Sequence, residues 1–127
     1  MDLKPLYIEE TFDTPEIILD IEKKQFKFLG KSMPENPKEF YNPIIEWIDS
    51  YMKKPLTETH VIFKLEYFNT VSSRRIMEIL EKFYDLHVAG KNVKIDWYYD
   101  IEDPDMKKAG DEFSMIVGIP INIISQE

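Results

Sequence analysis

The chain has 127 residues, 43% of them hydrophobic and 31% charged, which is the size and mix of one globular domain built on one core. Its net charge is −8. That is the wrong sign for binding duplex nucleic acid or an anionic membrane surface, both of which draw affinity from Lys and Arg, and the absence of cysteine excludes disulfides, thiolate catalysis and cysteine metal sites.

The N-terminal stretch MDLKPLYIEE has no basic region leading into an apolar run, and no apolar stretch approaches a membrane span. The expectation is a cytoplasmic chain forming a single domain over residues 1–127. Residues 5–10 read as a short strand. Residues 16–32 read as a hairpin, with Ile17–Ile21 as first arm, a turn at Glu22–Lys24, and a second arm in which Phe26 and Phe28 alternate with Lys27.

A helix follows within 32–54, where Phe40, Ile44, Trp47, Ile48 and Tyr51 recur at helical spacing. Asn36 is its expected N-cap, Pro37 its first residue, and Glu39 completes a capping-box pattern. Pro43, within the first two turns, is a point of expected distortion. HVIFKLEYF (60–68) is the clearest strand, with Val61, Phe63, Leu65 and Tyr67 expected on one face and Ile62 and Phe68 on the other. The next helix spans 72–90, with a stripe of Ile76, Ile79, Leu80, Phe83 and Leu86 and a stop at Gly90.

Val93, Ile95, Trp97 and Tyr99 alternate through a strand at 91–100. Tyr98, out of phase with them, is the candidate surface aromatic. A last helix covers 103–117 with Met106, Phe113 and Ile116 or Val117 inward, weakened by Gly110, and 119–127 closes as a strand. The order β-β-β-α-β-α-β-α-β points to an α/β fold. Parallel strands joined by βαβ crossovers follow an antiparallel hairpin at one edge.

Little in the sequence suggests catalysis or metal binding. His60 and His87 are the only histidines; one precedes a strand and the other sits near a helix C-terminus, so both read as structural. The acids Asp96, Asp100, Glu102, Asp103 and Asp105 lack the spacing and glycine of an EF-hand loop and read as a solvated turn with a helix-capping acid. The four glycines form no phosphate-binding loop, and no cofactor is expected. Ser72 or Ser73 as a nucleophile would need a base that the sequence does not place beside it.

FNTVSSRR (68–75) is the unusual segment. A strand runs out, hydroxyls stand where a helix cap belongs, and then Arg74 and Arg75 fall in or next to the first turn. Cations there oppose the helix dipole at a cost of about 0.3–1 kcal/mol each. A neighbouring carboxylate would relieve the mismatch, and so would an anion such as a phosphate on a nearby hydroxyl. Thr70, Ser72 and Ser73 are equal candidates on this ground.

YFNTVSSRRIMEIL (67–80) resembles the SiaC family of regulatory phosphoproteins, whose pattern is Y-[LF]-N-T-x-S-x-R followed by an apolar helix. MPEN (33–36) leading to WI (47–48), and WYYD (97–100), resemble further family stretches in the same order, while residues 1–15 carry little of the match. The resemblance implies a STAS-like fold, a mixed sheet with helices packed on it, and no enzymatic activity. It also implies a partner switch: a serine/threonine kinase phosphorylates Thr70, a PP2C-type phosphatase reverses this, and the unphosphorylated form activates a diguanylate cyclase or similar effector. Ser72 and Arg74 match the family serine and arginine, and Val71 stands where the family carries serine. Ser72 and Ser73 are then expected as caps, and Asn69, Ser72, Ser73, Arg74 and Tyr98 as residues flanking the phosphosite or touching partners. The competing expectation is a small-molecule or nucleotide site using the helix N-terminus at Thr70–Arg75.

Overall fold

The structure is a computed structural model and describes residues 3–127. Its elements are β1 (Leu6–Ile8), β2 (Glu16–Asp20), β3 (Gln25–Ser32), α1 (Pro37–Lys53), β4 (Glu58–Phe68), α2 (Thr70–Val88), β5 (Asn92–Asp100), α3 (Pro104–Val117) and β6 (Asn122–Gln126). They form one six-stranded sheet whose spatial order is the chain order. β1, β2 and β3 pair antiparallel; β3 through β6 pair parallel. The mixed sheet, its antiparallel edge and the element order all agree with the sequence-based expectation.

Because successive parallel strands add on the same side, three right-handed crossovers place all three helices on one face of the sheet. The strand residues turned to that face are buried: Ile17 and Leu19, Phe26 and Phe28, Val61, Phe63 and Leu65, Ile95 and Trp97. The helices meet them with Tyr41, Ile44, Ile48 and Tyr51 from α1, Ile76, Ile79, Leu80, Phe83 and Leu86 from α2, and Met106 and Phe113 from α3. Tyr41, rather than the expected Phe40, starts the α1 stripe, since positions 41, 44, 48 and 51 keep one helical face inward. α1 runs through Pro43 without a break. Val117, not Ile116, packs against the core at the end of α3; Ile116 is exposed.

β4 departs from simple alternation. Gly30 of β3 pairs with Leu65 and Lys31 pairs with Tyr67, so β4 carries one extra residue, Glu66. A bulge of this kind inverts the side-chain phase beyond it. Phe68 therefore turns inward, with its ring 6.2 Å from Trp97 and 5.8 Å from Phe113. Tyr67 turns out, 49% exposed. The expected faces of Tyr67 and Phe68 are exchanged.

Gly110 has a packing role that outweighs its helix propensity. A Cβ there would lie 2.5 Å from Cδ1 of the Trp97 ring, and Trp97 is fully buried with its indole N–H donated to Met106 O at 3.0 Å. The glycine lets α3 approach the sheet. Alanine would recover about 1 kcal/mol of helix propensity but must displace a fixed ring, which costs about 1–3 kcal/mol. Gly110→Ala is expected to lower the denaturant midpoint without changing the slope.

On the helix-free face, His60 Nε2 lies 2.6 Å from Asp96 Oδ2, and Asn122 donates to Asp96 Oδ1 at 3.0 Å, tying β4, β5 and β6 together. Both expectations for His60 and Asp96 meet here: the histidine is structural, but Asp96 is buried at 4% exposure instead of lying in a solvated turn. Burial pushes its carboxyl up. Hydrogen bonds from Asn122 and His60, with the charges of His60 and Lys94, outweigh that and hold it below its ordinary 3.8. Its stabilising contribution is therefore complete above the unfolded-state value and is lost as pH falls through the lower folded one. Asp96→Asn is expected to flatten the loss of stability below about pH 4, measured as denaturation midpoint against pH; parallel acid limbs in both proteins would contradict this.

Candidate functional site

The candidate site lies where β4, in the interior of the sheet, gives way to α2. The strand ends at Phe68, and Asn69 N–H donates to Ser32 O at 3.1 Å, holding the junction to the end of β3. Asn69 is extended (φ −88°, ψ 177°) and is the N-cap: its Oδ1 accepts from Ser72 N–H at 2.9 Å. Ser73 N–H donates to Asn69 O at 3.0 Å, the first helical bond. Asparagine thus takes the capping role expected of Ser72 and Ser73. Either residue type satisfies an orphan N–H equally well, and the extended backbone belongs to position 69.

The three hydroxyls occupy distinct environments. Ser72 is fully buried. Its Oγ donates to Ser32 O at 2.9 Å and accepts from Ser32 Oγ at 2.8 Å. Tyr41 is also bonded to Ser32 Oγ. Since each hydroxyl has one proton and those of Ser32 and Ser72 are committed, the chain runs Tyr41 Oη to Ser32 Oγ to Ser72 Oγ to Ser32 O. Burial pushes the Tyr41 phenol up, only partly countered by bonds to Ser32 and Ser72 and the charge of Arg75, so it keeps the proton it donates. Ser72, expected to flank the phosphosite or touch partners, is consequently an internal strut with its hydroxyl turned into the core. Ser73, half-buried, donates Oγ to Thr70 O at 2.6 Å. Thr70 is the first residue of α2 and is exposed.

No acid lies in the first turn of α2. The two arginines resolve the resulting mismatch differently. Arg75 Nη1 reaches Glu78 Oε1 at 3.4 Å. Arg74 is exposed and forms no ion pair among the described residues. Val71 and Tyr67, on either side of Thr70 in the sequence, are 48% and 49% exposed. Tyr98 lies on β5 and stands half-buried on the helix-free face, with Lys64 Nζ 4.5 Å from its ring centre.

Sequence reasoning missed Ser32 and Tyr41. The spacing of Tyr41 to Ile44, Ile48 and Tyr51 was a usable signal for the second; nothing local marks the first. Among the described residues, no group of three or more His, Asp or Glu is placed to hold a metal, and no helix is long and apolar enough to cross a membrane. Asp103 caps α3 through Met106 N–H at 3.2 Å, and Asp100 accepts from Glu102 N–H at 2.8 Å. Those acids therefore serve the turn as expected. Four surface cavities of about 340 to 500 Å³ are lined by residues other than 69–75. Ser72→Ala strands the Ser32 proton in a buried site and is expected to cost about 1–3 kcal/mol, read by chemical denaturation; a change under about 0.5 kcal/mol would remove the hydroxyl chain as a structural element.

The chain is similar to proteins of known sequence and structure over almost its whole length. A protein of Pseudomonas aeruginosa strain UCBPP-PA14 is 27% identical over 121 residues, covering 95% of this chain and 96% of that protein. The crystal structure of apo-SiaC from P. aeruginosa superposes with a TM-score of 0.87 at 28% identity, over 94% of this chain and 98% of that one. SiaC in a crystallised complex with the diguanylate cyclase SiaD, of which it is the activator, gives a TM-score of 0.89 at 27% identity, over 95% and 99%. The family model for SiaC family regulatory phosphoproteins matches residues 8–126. With that match running from β1 through β6 and including the Thr70 junction, the chain belongs to the SiaC family of regulatory phosphoproteins.

Proposed function

We propose that this chain is the phosphorylation-controlled member of a bacterial partner switch. A serine/threonine kinase transfers phosphate from ATP to Thr70, and a PP2C-type phosphatase removes it. The unphosphorylated form binds and activates a diguanylate cyclase, raising cyclic di-GMP. The chain acts as one domain in the cytoplasm, catalyses no reaction itself and needs no cofactor.

The observation that carries this reading is the exposure of Thr70 at the first position of α2, beside a buried Ser72 and a Ser73 whose hydroxyl is already engaged. Of the three hydroxyls, Ser72 is closed in the core and Ser73 is half-buried and bonded to Thr70 O, which leaves Thr70 the most accessible to a kinase. The choice of effector is supported by the related SiaC, which activates a diguanylate cyclase in complex with it.

The physical consequence of modification follows from position. A phosphate adds about −1.5 to −2 charge near neutral pH. At the start of a 19-residue helix the positive end of the dipole tolerates it, so the fold stands. Along the chain the modified residue stands between exposed Tyr67 and Val71, apolar surface available to a docking partner. There the phosphate must be desolvated on binding, and binding weakens. Intact-mass analysis after incubation with the cognate kinase and ATP is expected to show one added phosphate on the wild type and none on Thr70→Ala. Thr70→Glu is expected to weaken cyclase binding about tenfold or more, while Thr70→Ala retains it. Undiminished phosphorylation of Thr70→Ala would sink the assignment.

A further inference from the structure

We infer that a phosphate on Thr70 is captured within the same chain by Arg74, so that modification removes a free cation from the surface as it adds an anion. This rests on the reading of Thr70 as the modified residue and says how the switch works at the level of charge.

Thr70 and Arg74 are four apart in α2, hence neighbours on one helix face. Helical side chains lean toward the N-terminus, over the residues three and four before them. The long arginine side chain is thereby directed back over position 70. Arg74 is exposed and in no ion pair among the described residues, so no existing partner has to be given up. From residue 67 through 77 the chain has no acid, and no carboxylate adjoins Arg74 along the helix before Glu78, which is bonded to Arg75. Arg75 lies a full residue further round the helix and is half-buried. The guanidinium matches a phosphate with two parallel hydrogen bonds, which a point charge cannot do.

Before modification the pair presents one positive charge and a neutral hydroxyl. Afterwards the arginine is neutralised and the surface carries about one net negative charge. A partner carboxylate set against Arg74 loses its counter-charge and meets a phosphate in its place. The local charge changes sign, by the roughly 1.5 to 2 units the phosphate brings, with no movement of the backbone.

The test uses the full chain with phosphothreonine incorporated at position 70 during translation, without a kinase, and follows the phosphorus resonance by NMR through a pH titration. Pairing with arginine favours the dianion. The second phosphate pKa is therefore expected to be lower, by about half a pH unit at this exposed site, in the parent than in Arg74→Ala. Arg74→Lys is expected to recover part of the difference, and Arg75→Ala to leave it unchanged. Equal values in the parent and Arg74→Ala, or a larger effect of Arg75→Ala, would overturn the inference. Since the phosphate is installed directly, a chain that no kinase modifies would refute the proposed function while this measurement still decides the capture.

Discussion

Side chains along a strand alternate between faces with a period of two, so a single inserted residue reverses everything after it. Glu66 is that residue in β4. Beyond it Phe68 joins the aromatic cluster of Trp97 and Phe113, and Tyr67 is released to solvent. A strict alternation would bury the Tyr67 hydroxyl among those rings and leave Phe68 outside, a poor exchange in hydration and packing. Where the strand stops, how Asn69 reaches Ser32, and which way Thr70 faces all follow from that phase change.

The junction so formed is held from beneath. The hydroxyl chain from Tyr41 through Ser32 to Ser72 links α1, β3 and the first turn of α2 with every proton committed, and no buried side-chain polar atom among the described residues lacks a partner. Satisfied networks of this kind rigidify their surroundings. A residue mounted on such a base changes its charge without changing its position. This suits a switch that works by altering a surface and not by refolding.

The other face of the sheet has no helices, yet it does not present a broad apolar sheet to water. Ile18, Leu29, Ile62, Tyr98 and Ile124 are each half-buried. Lysine stems cover part of that surface while their charges remain hydrated, as Lys64 does over Tyr98. The His60–Asp96–Asn122 link adds a polar tie across the three parallel strands at that end of the sheet. Tyr98 is thus partly accounted for by the sheet itself, whereas at the start of α2 exposed Val71 shares the first turns with Arg74, which forms no ion pair among the described residues.

Every element and its order were legible from periodicity, caps and breakers, because local patterning and the core agree along this chain: Asn36, Pro37 and Glu39 start α1 as expected, and Ile76, Ile79, Leu80, Phe83 and Leu86 form the buried stripe of α2. The oddity of two arginines after a run of hydroxyls was also visible, since dipole and charge are properties of neighbouring residues. Which hydroxyl is buried was not. Ser72 is internal because Ser32 and Tyr41, 40 and 31 positions earlier, come together beneath it, and no local pattern encodes a contact made across the sheet. The bulge at Glu66 was hidden for the same reason: pairing register is a relation between β3 and β4, and only the assembled sheet fixes it. The sequence by itself determined the elements and the chemistry available at residues 69–75, while tertiary structure decided which of those groups meets the solvent.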